Sequence, residues 1–200
     1  MARNITTHPA LGLIETATIL AGIEVADALV KRAEVLLHRL FTLTPGKMIA
    51  VFAGDEAVVE ESYRRGCEVA GGALLDSLLL PGVEPRVAEA LLSGGVRCEV
   101  GGQALGAVET QTIAACVLAA DAALKAAGVA LIEMRLRREL GGKGYFLICG
   151  AQEDVEAALA AAAERLAGSP KNLCGTLIIP RPHEDMLREL LAAHEATAWS

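Results

Sequence analysis

Aromatic residues are scarce in this chain, with one Trp, two Tyr and three Phe among 200 residues. So few rings give bases little to stack on. The charge balance removes the other half of a nucleic-acid interface. There are 18 Lys and Arg against 25 Asp and Glu, a formal net charge of −7, so the basic excess that phosphates require is missing. Long hydrophobic runs are also missing, although 53% of residues are apolar and the mean hydropathy is +0.42. Glu15, Glu24, Asp27, Asp76, Glu109 and Asp121 interrupt the best candidates before the roughly 20 apolar residues of a membrane span accumulate. No charged-then-apolar leader pattern precedes the first apolar segment, and the expectation is a soluble, cytoplasmic protein. Cys67, Cys98, Cys116, Cys149 and Cys174 are odd in number and lack C-x-x-C spacing. They read as reduced thiols rather than a disulfide framework.

Catalytic signatures are equally thin. His8, His38, His183 and His194 share no spacing with the cysteines or each other that suggests metal ligation. No nucleophile motif, P-loop or dinucleotide fingerprint is present. Gly141-Gly142-Lys143-Gly144 resembles part of a phosphate loop but leads into a strand instead of a helix. Glu15 and Glu109 occupy equivalent positions, which raises an acid/base pair. At matching strand ends, each is expected instead to meet a basic group or a helix amide.

What the chain has is a repeat. Ala10-Leu11-Gly12-Leu13-Ile14-Glu15-Thr16 returns as Ala104-Leu105-Gly106-Ala107-Val108-Glu109-Thr110, and Ala26-Asp27-Ala28 with Lys31 returns as Ala120-Asp121-Ala122 with Lys125, all at an offset of 94 residues. A register held from a strand-like into a helix-like segment marks a duplicated domain. The expected division is a first domain over 1–93, a linker over 94–103 and a second domain over 104–200. Two small, Ala/Leu/Val-rich domains bury a modest share of their surface, so an obligate oligomer is expected.

Within the first copy, residues 10–16 read as a buried strand. Thr16 is the expected cap of a helix reaching about Arg32, with Ile19, Ile23, Ala26 and Val30 on one face. Residues 34–43 and 47–53 read as a hairpin around Thr44-Pro45-Gly46. A helix then starts at Asp55-Glu56, with Val59, Tyr63 and Cys67 as its apolar stripe, and ends at Gly71-Gly72. Residues 73–80 give a fourth strand and 85–92 a short terminal helix. The second copy repeats the order with a strand over 104–110, a helix over 111–127, a hairpin around Leu140-Gly141-Gly142, a helix over 151–167 and a strand over 173–179. The offset grows from 94 to 96 across the hairpin, so the two hairpin loops differ. The order predicts an α+β fold of two tandem ferredoxin-like split β-α-β domains, each an antiparallel sheet with two helices on one face.

These residues resemble the shell proteins of bacterial microcompartments in their tandem-domain form. The resemblance rests on the A-L-G-x-[IV]-E-T openings, the A-D-A-x-x-K helix ends, the Gly46-Lys47 and Gly142-Lys143 steps, and Ile179-Pro180-Arg181-Pro182-His183. It implies a homotrimer that mimics a hexamer and tiles edge to edge with other shell proteins. It also implies an axial pore for small metabolites, lined by Thr44 and Pro45 from one repeat and Leu140, Gly141 and Gly142 from the other. Charged Arg138, Glu139, Lys47 and Lys143 stand close to these tips. The residues alone would also fit ordinary hairpin turns.

Some relatives hold an iron–sulfur cluster on the axis through a cysteine of the first hairpin loop, before Pro-Gly-Lys. Here that position is Thr44, whose hydroxyl does not replace a thiolate, so neither a cluster nor any other cofactor or metal is expected. The resemblance also places Lys31, Lys125 and Arg181 along tile edges. Arg181 has no counterpart in Pro81-Gly82-Val83-Glu84, so edges of alternating strength are expected. Lysines at helix ends can equally complement the dipole or pair with Asp27 and Asp121. The competing function is a cytoplasmic ligand-binding regulatory trimer. A redox carrier would need a metal site that Thr44 argues against.

Overall fold

The structure, a computed structural model, describes residues 9–93, 104–136 and 141–192. The expected linker over 94–103 and the candidate residue Leu140 lie outside them.

The first repeat runs β1 (Ala10–Thr16), α1 (Ile19–Arg32), β2 (Leu36–Leu43), β3 (Lys47–Gly54), α2 (Glu56–Ala70), β4 (Leu74–Pro81) and α3 (Pro85–Ser93). The second runs β5 (Ala104–Thr110), α4 (Ile113–Ala126), β6 (Ala130–Arg135), β7 (Gly144–Gly150), α5 (Gln152–Arg165), β8 (Leu173–Ile179) and α6 (Glu184–Ala192). Each repeat folds into a four-stranded antiparallel sheet, in the orders β2-β3-β1-β4 and β6-β7-β5-β8. The A-L-G-x-x-E-T strand is central in both.

Alternation along β1 sends Ala10 and Ile14 to one face, where Val25 and Leu29 of α1 and Val59 of α2 cover them. Gly12 makes this packing possible, because a Cβ there would stand 2.3 Å from the Phe52 ring. Leu11 and Leu13 face the other way, into a cluster shared with α3 and with α4 of the second repeat. The two long helices thus share one face, as expected, and the short terminal helix takes the opposite one.

The α1 cap corrects the expectation. Thr18, in extended backbone, accepts from the Ala21 amide at 3.3 Å. Thr16 instead donates its hydroxyl to the carbonyls of Thr18 and Met48. Thr110 and Thr112 repeat both roles. Of the apolar face expected on α1, only Ala26 is buried within the chain. The buried residues of this helix are Gly22, Val25, Ala26 and Leu29, whereas Ile19, Leu20, Ile23 and Val30 are exposed. The equivalent face of α4 is fully buried, because α4 packs against the first repeat as well as its own.

Candidate functional site

Two arrangements stand out: a polar joint between the repeats, and the pair of hairpin tips. The joint forms where α4 lies on the β1–β4 side of the first sheet. Ile113, Ala114 and Val117 of α4 belong to one apolar cluster with Leu13, Ile49 and Leu78. At the start of α4, where amides have no partner within the helix, the Ala114 amide donates to Glu15 Oε1 at 2.6 Å. Glu15 is 0% exposed, and burial pushes its pKa up to about 7. The amides of Ala114 and Ile113 and the Lys47 charge oppose that rise, while Asp76 adds to it. Asp76 accepts from the Thr112 hydroxyl and, at 3.0 Å, from Asn172 Nδ2.

At the far end of α4, Arg86 of α3 donates to the carbonyls of Val129 at 2.6 Å and Leu124 at 3.2 Å. Its Nε pairs with Glu84 at 2.7 Å. The Glu84 amide donates to Asp121 Oδ1 at 2.8 Å, and Lys125 reaches the other oxygen of Asp121 at 2.7 Å. Sequence reasoning missed Arg86 and the reach of α4 across the joint. One signal was available for α4: its sequence IAACVLAADAALKA is apolar on nearly every side, which a helix covered on one face alone does not need.

The expected pore residues sit at the two hairpin tips. Thr44 and Pro45 are exposed, and Gly46 closes the turn at φ 123° by donating to the Leu43 carbonyl at 2.8 Å. Gly141 and Gly142 take φ of 62° and 86°, in the left-handed region that suits glycine. The structure brings the tips together. Lys47 lies so close to Gly142 that a Cβ built there would stand 2.4 Å from its Nζ.

The expected edge residues are spread apart. Lys31 pairs with Asp27 at 2.6 Å and Lys125 with Asp121 at 2.7 Å, both four residues back. Arg181 follows β8 at φ 50° and is exposed. Strand register matches it with Gly82, which has φ of 61°. The segment therefore keeps its backbone shape in both repeats, while only the second supplies a guanidinium.

The two equivalent glutamates are explained as structural groups. Glu15 takes the helix amide, and Glu109 takes Lys143 Nζ at 2.8 Å. Among the described residues, no group of three or more His, Cys, Asp or Glu could hold a metal. The described cysteines lie in α2, α4, β7 and β8, away from the tips. Cys116 is fully buried, and its thiol is pushed up to about 12. With Thr44 at the first tip, the residues present do not fit an axial iron–sulfur cluster.

The duplicated split β-α-β sheets, joined by a structural polar contact, define a tandem α+β building block. The BMC domain model matches residues 10–83 and 104–182, so the chain belongs to the BMC-domain family, as a tandem shell protein of bacterial microcompartments. It is 38% identical to the bacterial microcompartment shell protein PduT of Citrobacter freundii, over 91% of this chain and 97% of that one. A microcompartment protein structure from Desulfitobacterium hafniense superposes with a TM-score of 0.77 at 36% identity, covering 90% of this chain and 98% of that one. The fused permuted hexameric shell protein of the RMM microcompartment shares the fold, with a TM-score of 0.62 at 23% identity over 80% and 82% of the two chains. The family is structural and assembles into tiles; it is not a family of enzymes. No described helix is long and apolar enough to cross a membrane.

Proposed function

We propose that three copies close into a pseudohexameric tile with a central pore, which joins other shell proteins edge to edge and passes small metabolites. One observation carries this reading. The face of α4 that is covered within the chain has its equivalent on α1 exposed, so the chain presents one closed joint and both halves of a second. Head-to-tail contacts close into a ring when the rotation between copies divides a full turn, on this reading a third of one.

The adjacent hairpin tips then face the axis. Thr44 offers a hydroxyl, Gly141 and Gly142 offer backbone amides, and Pro45 and Leu140 complete the lining. Lys31, Lys125 and Arg181 lie on the outer edges, where they contact neighbouring tiles. Overexpressed protein viewed by electron microscopy is expected to form flat hexagonal sheets, tubes or polyhedral particles. The Lys31→Ala, Lys125→Ala double variant should lose them while keeping the trimer's mass in light scattering. Sheets that persist unchanged in the double variant would remove the edge role.

A further inference from the structure

Strand register and the repeat offset give every residue of the closed joint a counterpart. Ala107, Tyr145 and Leu177 match Leu13, Ile49 and Leu78. The latter three are buried under α4, with Leu78 at 4% exposure, whereas Leu177 is 55% exposed. Between Ala107, Glu109, Tyr145, Gly175 and Leu177 the second sheet carries an open, largely apolar hollow of about 340 Å³. The helix face that would fill it is also in view. Leu20 at 75% exposure stands where Ala114 is at 1%, with Ile19, Ile23 and Val30 beside it.

Glu109 lies at the rim of this hollow, in the place of Glu15, and in the single chain it holds Lys143. The equivalent Lys47 instead lies against Gly142 of the other hairpin tip, while Glu15 accepts from a helix amide. On α1 the first-turn amide of Ala21 is taken by Thr18. Leu20, the counterpart of Ala114, has no partner for its amide within the helix.

We infer that Glu109 changes partner on assembly: it leaves Lys143 and accepts a hydrogen bond from the Leu20 amide of a second copy, whose α1 fills the hollow. This rests on the ring reading above and names a polar contact within its joint. Lys143, once released, turns toward the neighbouring copy's Gly46 tip, as Lys47 turns toward Gly142. The tips are then ringed by lysines from both repeats.

The test compares wild type with Glu109→Ala, Glu109→Gln and Lys143→Ala by native mass spectrometry and light scattering over a dilution series. Amide hydrogen exchange across residues 19–22 is followed in parallel. Glu109→Ala is expected to raise the concentration at which the trimer parts by about tenfold or more, the weight of a charged hydrogen bond, and to speed exchange at Leu20. Glu109→Gln keeps an acceptor oxygen and should restore much of both. Lys143→Ala should leave the trimer intact, because assembly no longer uses that ion pair. A wild type that stays monomeric overturns the ring reading itself. A trimeric wild type that Glu109→Ala leaves unmoved, or that Lys143→Ala weakens equally, overturns the exchange of partners alone.

Discussion

Glu15 brings a carboxylate into an apolar joint, and the amides that meet it do not fully offset the loss of water. Its pKa rises from 4.5 in the unfolded chain to about 7 in the folded one. Between those values the folded state binds more protons at this site, so the contribution of Glu15 to stability is fully present below 4.5 and is lost as pH climbs through about 7. Glu15→Gln keeps an acceptor for Ala114 and cannot ionise. Urea unfolding at pH 5 and pH 8 should therefore show the variant gaining on wild type at the higher pH, by up to about 3 kcal/mol. An unchanged difference between the two pH values would mean that Glu15 is not the titrating group. At Thr44 the expectation concerns composition: protein purified without oxygen should carry no stoichiometric iron or acid-labile sulfide, and finding both would refute the reading of that tip. The roles of Glu15 and Thr44 were unequally legible. Thr44 is judged by its type alone, but the partner of Glu15 stands 99 positions away, and no local pattern names it.

Helices α1 and α4 show why the domain fold was readable and its surfaces were not. Strand alternation, paired glycines and the repeat offset fix the order of elements, since each depends on neighbours within the same repeat. Apolar spacing on α1 marked Ile19, Ile23 and Val30, yet periodicity says only that a face is apolar, not which surface covers it. The same limit hid Arg86, whose acceptors lie in the last turn of α4 and just beyond it, in the other repeat. Arg86 closes the Leu124 and Val129 carbonyls with a planar fork, so Arg86→Ala should cost about 1–3 kcal/mol and Arg86→Lys should recover only part of it. Thermal melts would measure the loss, and faster proteolysis between the repeats would place it at the joint. A second change tests the packing of α1. Gly22→Ala improves helix propensity by about 1 kcal/mol, but its Cβ would stand 2.4 Å from Met48 Cβ. That atom is fixed to the β3 backbone, so overpacking of about 1–3 kcal/mol should win, and the variant should melt below wild type.

Three copies would contain two kinds of joint, one within each chain and one between chains, and their fastenings differ. Inside the chain, Asp76 gathers Thr112 and Asn172, and Arg86 with Glu84 grips α4. By strand register, the corresponding positions of the joint between copies hold Gly175 for Asp76, Ala73 for Asn172, His183 for Glu84 and Asp185 for Arg86. The apolar face is kept and slightly enlarged, with Leu20 in place of Ala114, whereas most of the polar grip is gone. Association between chains must also overcome lost translational and rotational freedom, a cost the tethered joint avoids. The joint between copies should therefore be the weaker one, held mainly by apolar burial. Apolar burial weakens in urea, whereas salt acts on surface charge. Light scattering in rising urea should show trimers parting into single chains at a concentration where circular dichroism still reports intact helices. High salt without urea should leave the trimer whole. Coincident loss of mass and helicity across a range of protein concentrations would contradict this order. Dissociation by salt alone would show that charge, not the α1 face, holds the copies together.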